Sequence, residues 1–265
     1  MTIAEQQRVE VEQGVVFGTG GGRDLRCDVY HPPAAVKNGI GVLLVHGGRW
    51  IQGDRTQLRG YGILLGRKGY TCVASEYRLV PESPWPACLH DVKAAIRWMR
   101  TNAGRLGIDP EKIVIEGNSA GAHLVLMAAG TPGRPEFEGQ GGNPGVSTAV
   151  AAVIAFYPPT ALDSPNWRTR IHPLFGREAS ADELSAASPM TYVNAAFPPT
   201  LLIHGNGDEL VPAAESTDMY GALHAAKVPV ELHMYAGQPH AFDAGPQFGR
   251  QCADIMALFI ERVVR

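Results

Sequence analysis

The 265-residue chain has no marked excess of either charge: 23 Lys and Arg stand against 26 Asp and Glu, a formal net charge of −3. It carries no basic block suited to a phosphate backbone, which argues against a nucleic-acid partner. Cysteine is scarce. Cys27, Cys72, Cys88 and Cys252 lie far apart with no C-x-x-C pair, so the spacing gives neither a zinc site nor a dense disulfide framework. They read as reduced, partly buried thiols. No uninterrupted apolar run approaches the ~20 residues that span a bilayer. The first residues, "MTIAEQQRVEVEQG", are polar and acidic and lack the apolar core of a signal peptide. The expectation is a cytoplasmic protein with no membrane partner. No cluster of ligand-type side chains suggests a metal or organic cofactor, and none is expected. The oligomeric state is left open.

What is present is ample material for a core, with 45% apolar and 18% charged residues. "RVEVEQGVVFGTG" and "RDLRCDVYHP" alternate apolar and polar residues on either side of glycines 20–22, which predicts a leading β-hairpin. From Gly39 the rhythm becomes short apolar runs separated by helical segments. "GIGVLLVHGG", "YTCVASEYRL", "KIVIEG", "TAVAAVIAFYPP", "TLLIHG" and "VELHMYAG" read as strands. Between and after them, "RTQLRGYGILLGRKG", "PACLHDVKAAIRWMRTNAGRLG", "AGAHLVLMAAG", "AAESTDMYGALHAAK" and "GRQCADIMALFIERVVR" read as helices. This alternation predicts an α/β protein with one mostly parallel sheet and helices on both faces. No linker interrupts it, so residues 1–265 are expected to form one domain. Two segments break the pattern: the Gly- and Pro-rich stretch 131–147 and the long connection 158–198, which reads as a small lid or cap.

In an open parallel sheet, ligands bind beyond the carboxyl ends of the strands. Ser119 follows "KIVIEG"; His46, Gly47 and Gly48 follow "GVLLV"; Asp208 follows "TLLIHG"; His240 follows "VELHMYAG". A serine hydroxyl is a weak nucleophile until a base takes its proton. Gly117 and Gly121 permit the tight turn that lifts Ser119 clear of the sheet. The imidazole of His240 is the candidate base, with activity expected to fall below a pH of about 6.5. The Asp208 carboxylate would fix its tautomer and stabilise the imidazolium. The order Ser119…Asp208…His240 is the one expected of a strand–nucleophile–helix arrangement.

Rival groups fit less well. Asp218 and His224 fall within a predicted helix, His233 within a strand, and Asp243 after the base. Glu209 would point away from His240, His172 precedes Asp208 in the chain, and His204 reads as a structural hydrogen-bonding residue. Acyl transfer also needs donors for a developing oxyanion. The backbone N–H of Ala120 is one, and Gly47 and Gly48 supply the others.

These motifs resemble the α/β-hydrolase superfamily from about Val9 onward. "VHGGRWIQGDR", "EYRLVPESPWPACLHDVKAAIRWMR", "GNSAGAHL", "ASPMTYV", "PPTLLIHGNGDELVP" and "GQPHAF" look like the small serine esterases near the hormone-sensitive-lipase group. They are most similar to the branch of bifunctional acetylxylan/feruloyl esterases and related carboxylesterases. The resemblance implies a serine carboxylesterase acting on small or short-acyl esters, with Ser119, Asp208 and His240 as triad and Gly47, Gly48 and Ala120 as oxyanion donors. It also implies that Arg78 and Asp91 are structural. Two departures stand out: "HGGR" puts Arg49 where lipases have a third glycine, and Ala122 replaces a commoner glycine. Trp50 then matches the H-G-G-x-W form shared with kynurenine formamidases, so an arylformamidase is the alternative within enzymes. A non-catalytic receptor resembling the gibberellin receptors is the remote one. Arg49, with Arg168 and Arg170, either binds a substrate carboxylate or faces solvent. Trp50 and Trp167 either wall an aromatic-binding site or pack the lid.

Overall fold

Alternating in–out patterning decides the first two elements. Strands β1 (Glu10–Gly20) and β2 (Arg23–His31) pair antiparallel, turning at Gly21 and Gly22 with φ of 60° and 80°. The computed structural model describes residues 8–165, 167 and 172–264. Six further strands follow: β3 (Gly41–Val45), β4 (Thr71–Ser75), β5 (Ile113–Asn118), β6 (Ala152–Phe156), β7 (Thr200–Gly205) and β8 (Val230–Tyr235). They complete an eight-stranded sheet in the order β1-β2-β4-β3-β5-β6-β7-β8. From β4 to β8 all neighbours run parallel; β1–β2 and β2–β4 are antiparallel.

The central strands are short apolar runs because both of their faces are covered. Leu43, Val45, Ile113, Ile115, Val153 and Ala155 enter one core. Their neighbours Val42, Leu44, Val114, Ala152, Ile154 and Phe156 enter the other. Helices α2 (Ala87–Thr101), α3 (Ala120–Gly130) and α4 (Ala214–Ala225) cover the first face. The other face is covered by α1 (Arg59–Arg67) and α5 (Pro246–Val263). No helix among the described residues is long and apolar enough to cross a membrane. All four cysteines are buried and free.

The two irregular segments are tied to the first face by buried polar groups. Segment 131–147 is anchored on α2. There Arg97 donates to the carbonyls of Glu138, Gly141 and Gly142 (2.9, 2.6 and 2.9 Å), and Lys93 reaches Glu138 Oε1 at 2.9 Å. Segment 158–198 is held by Glu215 of α4, whose carboxylate accepts from Thr160 N (2.7 Å), Thr160 Oγ1 (2.6 Å) and Trp167 Nε1 (2.7 Å). Buried charges of this kind persist only when fully hydrogen-bonded, as these are. Arg78 and Asp91 form a two-pronged ion pair at 2.8 and 2.7 Å, joining the β4 loop to α2.

Candidate active site

The strand-to-helix turn after β5 is forced by close backbone approach. A side chain at Gly117 would lie 2.5 Å from the Gly121 backbone, and one at Gly121 would lie 2.0 Å from the Val45 carbonyl. Only glycine fits either place. Between them Ser119 takes φ 53° and ψ −115°, an unusual backbone for an L-residue. It is pinned by its own N–H donating to Phe156 O at 2.9 Å and its carbonyl accepting from His123 N at 3.0 Å. The hydroxyl thus stands at the N-terminus of α3, beyond the carboxyl end of the central strand.

The loops after β7 and β8 are stitched together just as tightly. Gly207 N donates to Gln238 O (3.0 Å), Asn206 N to Tyr235 O (3.0 Å), and Gly237 N to Asn206 Oδ1 (2.6 Å). A side chain at Gly205 would strike Gln238 O at 2.3 Å. This brings Asp208 and His240 together across 32 residues of chain, with His240 Nδ1 2.6 Å from Asp208 Oδ2. On the other side of the ring, His240 Nε2 is 3.0 Å from Ser119 Oγ. Since the carboxylate only accepts, Nδ1 carries the proton and Nε2 faces the hydroxyl as an acceptor.

The Asp208 carboxylate is fully buried. Burial pushes its pKa up, but hydrogen bonds from His204 and His240 and the Val211 N–H hold it well below the usual carboxylate range. Its Oδ1 accepts from Leu210 N and Val211 N at 2.8 and 2.9 Å. His204 lies 3.3 Å from Oδ2 and is itself oriented by Ser216 Oγ (2.8 Å) and Val211 O (3.1 Å). The structural role expected of His204 is therefore exercised directly on Asp208.

The loop after β3 leans on Ser119. A Cβ on Gly47 would fall 2.9 Å from Asn118 O and 3.3 Å from Ser119 Cβ. Gly48 has φ 117°, and its carbonyl accepts from Ile51 N and Gln52 N, both at 3.1 Å. Ala120 is the first residue of α3, where an N–H has no intrahelical acceptor. Gly47, Gly48 and Ser119 line a single cavity of about 980 Å³, together with His240 and Arg49. Its walls come mostly from residues 47–64 and 240–250, with Asn118, Ser119, Tyr157 and Leu210, and none of the described residues of 158–198 lines it.

The two tryptophans sit elsewhere. Trp50 is 3% exposed and donates from Nε1 to His123 Nδ1 at 3.2 Å; Trp167 is 6% exposed and bonded to Glu215. Neither lines the cavity, because each indole N–H finds its acceptor inside the core. Arg168 and Arg170 lie outside the described residues, as does the His172 side chain.

A buried network beneath the nucleophile escaped the sequence reading. Asp243 accepts from Tyr61 OH (2.8 Å), Tyr157 OH (2.6 Å) and Asn118 Nδ2 (3.0 Å), and Asn118 Nδ2 also reaches Tyr157 OH at 2.9 Å. The Tyr157 ring packs 4.5 Å from that of His240. Glu116, three residues before Ser119, is fully buried; burial and the Asp243 charge push its carboxyl well above the usual range. Nothing in periodicity or spacing marks these residues, since their partners are up to 182 positions away.

A sheet in this order, with its cavity at the carboxyl end of β5, is an α/β-hydrolase fold. The same fold is seen in the esterase Est2 of Thermogutta terrifontis, solved with propionate bound: TM-score 0.82 at 25% identity, covering 100% of this chain and 98% of that one. The family model described as BD-FAE matches residues 27–223, and the chain belongs to that family. Two curated relatives from Mycobacterium tuberculosis are similar at 33% identity. They are the probable carboxylic ester hydrolase LipM, covering 84% of this chain and 54% of its own, and the esterase LipQ, covering 91% and 60%. The chain thus spans little more than half the length of these relatives.

Proposed function

We propose that the protein is a carboxylic ester hydrolase working through Ser119. The observation that carries this reading is the continuous hydrogen-bonded line Ser119 Oγ–His240 Nε2–His240 Nδ1–Asp208 Oδ2, at 3.0 and 2.6 Å. As an ester carbonyl approaches, Oγ attacks the carbon and its proton passes to Nε2. Asp208, ionised throughout, stabilises the imidazolium. The tetrahedral oxyanion is received by the N–H groups of Ala120 and of the Gly47–Gly48 loop, a contribution worth on the order of a hundredfold or more per donor. The imidazolium then gives its proton to the departing alkoxide. Water, activated by the same imidazole, cleaves the acyl-enzyme and restores Ser119.

The relatives named as esterases, and Est2 with its bound propionate, support an ester substrate with a short acyl group. The test is Ser119→Ala with 4-nitrophenyl acetate as substrate and a fluorophosphonate probe as label. The variant is expected to lose both turnover and labelling while its circular dichroism matches that of the parent protein. Turnover retained in the variant would remove Ser119 from the mechanism.

A further inference from the structure

Three arginines line the Ser119 cavity, and among the described residues no carboxylate pairs with them. Arg49, Arg59 and Arg250 all line it, and all three are exposed. Among the described residues, none of these side chains makes an ion pair or a hydrogen bond. Most other described arginines are satisfied, Arg55 by Asp28 and Glu76, Arg78 by Asp91, Arg97 by Glu138 and Arg105 by Glu12, and the further unpaired ones, Arg8 and Arg67, line the adjoining cleft. The chain has more acids than bases, so the shortage at the cavity is local, not compositional.

Among the described residues the one carboxylate that lines the cavity, Asp243, is already committed. Asp243 is buried and holds three hydrogen bonds from Tyr61, Tyr157 and Asn118. Asp208 is buried behind His240. The three arginines come from separate elements: Arg49 from the loop beside Gly48, Arg59 from the start of α1, and Arg250 from α5. Arg49 is held at φ 56°, a left-handed backbone that a long side chain adopts only under constraint from its loop. The same cavity is lined by the apolar Leu58, Ile63, Leu64 and Pro246, along with the polar Gln52 and Gln57. Arg59 and Ile63 are shared with an adjoining cleft whose other charged residues are Arg8, Arg67 and Glu10.

We propose that the ester recognised here carries a carboxylate, separated from the scissile bond by an apolar stretch and held at the cavity mouth by Arg49, Arg59 and Arg250. The inference rests on the esterase reading of Ser119. A guanidinium fork matches a carboxylate in geometry and charge, and a ring of like charges over an apolar wall concentrates anions at the opening. An apolar site with a few convergent polar groups is the usual form of a small-molecule pocket.

Two matched pairs of substrates test it. The mono-4-nitrophenyl ester of adipic acid against 4-nitrophenyl heptanoate places the carboxylate on the acyl side. The pair 4-acetoxybenzoate and 4-acetoxytoluene places it on the alcohol side. In at least one pair, kcat/KM is expected to favour the anion by about tenfold or more, chiefly through KM. The ratio should fall about fivefold for each of Arg49→Gln, Arg59→Gln and Arg250→Gln, and should shrink in 1 M NaCl. Because each reading is a ratio within one protein sample, partial misfolding of a variant cancels. Equal or better turnover of the neutral ester in both pairs overturns the proposal, as does an anionic preference that survives all three substitutions and high salt. Absence of turnover on all four esters together with no fluorophosphonate labelling strikes instead at Ser119 itself, and the proposal falls with it.

Discussion

The Trp50 indole donates to the His123 imidazole across 3.2 Å, and this contact ties the loop carrying Gly47 and Gly48 to the helix that begins beside Ser119. The other ring nitrogen, His123 Nε2, donates to Ala187 O at 2.8 Å, so the same imidazole also holds segment 158–198. An indole only donates and a carbonyl only accepts, which fixes His123 as the neutral Nε2–H tautomer.

Burial lowers the His123 pKa from its ordinary 6.5 to about 4. With the folded value depressed, the stability linked to this group is fully present above pH 6.5. It is lost as pH falls towards 4, because the unfolded chain takes up the proton first. The loss between pH 7.5 and 4.5 is about 2–3 kcal/mol. Urea denaturation of the parent protein and of His123→Gln at the two pH values checks this. The variant is expected to be less stable at pH 7.5 but to lose about 2–3 kcal/mol less on acidification. An equal loss in both proteins would exclude His123 as the source.

The Asp208 carboxyl is expected to behave differently. Held well below the usual range, it contributes stability that is complete above about pH 4 and is lost only at more acid values. Between pH 4 and 8 its charge is constant. Asp208→Asn places an amide against His240 and His204 and removes the acceptor that sets the His240 tautomer. The expected result is a fall in kcat of about 10⁴-fold with a much smaller change in KM, read from steady-state hydrolysis of 4-nitrophenyl acetate. A loss under tenfold would mean that another group orients the base.

Tyr157→Phe tests the network beneath the nucleophile. It removes the donor to Asp243 and the acceptor for Asn118, leaving buried polar groups short of partners, at about 1–3 kcal/mol of stability. Because Asn118 immediately precedes Ser119 and the ring packs on His240, kcat is expected to fall about tenfold or more. Parallel measurement of Tm and kcat separates the effects: a lowered Tm with unchanged kcat would make the network purely structural.

Gly48→Ala should disable the oxyanion loop. Its backbone is at φ 117°, and an added Cβ would lie 2.0 Å from Gln52 O. The loop must shift, and a loss of at least about a hundredfold in kcat is expected. Gly221→Ala is the counterpart on α4, where a Cβ meets nothing within 4 Å. There a helix-interior alanine should raise stability by about 0.5–1 kcal/mol and leave hydrolysis untouched. Denaturation curves and initial rates for the two variants distinguish local strain from a general intolerance of glycine replacement.

The sequence alone determined the alternation of strands and helices, because each strand of the parallel sheet is covered on both faces and must be a short apolar run. It also determined the order Ser119, Asp208, His240 at strand ends, with Gly117 and Gly121 marking the tight turn at Ser119; that Gly205 and Gly207 sit where backbones approach too closely for a side chain was decided by the tertiary structure. Tertiary structure decided which polar groups meet. Trp50 and Trp167 are compatible with a binding wall in a one-dimensional reading, but their indole N–H groups turn inward to His123 and Glu215. Segment 158–198 reads as a lid, and none of its described residues lines the cavity, whose lining comes mostly from residues 47–64 and 240–250. Asp243 looks misplaced for catalysis by chain order, and it collects Tyr61, Tyr157 and Asn118 from three other elements. Periodicity records which face of an element is apolar. The partner of a buried hydrogen-bonding group depends on which elements the fold brings within 3 Å, and no local pattern encodes that distance.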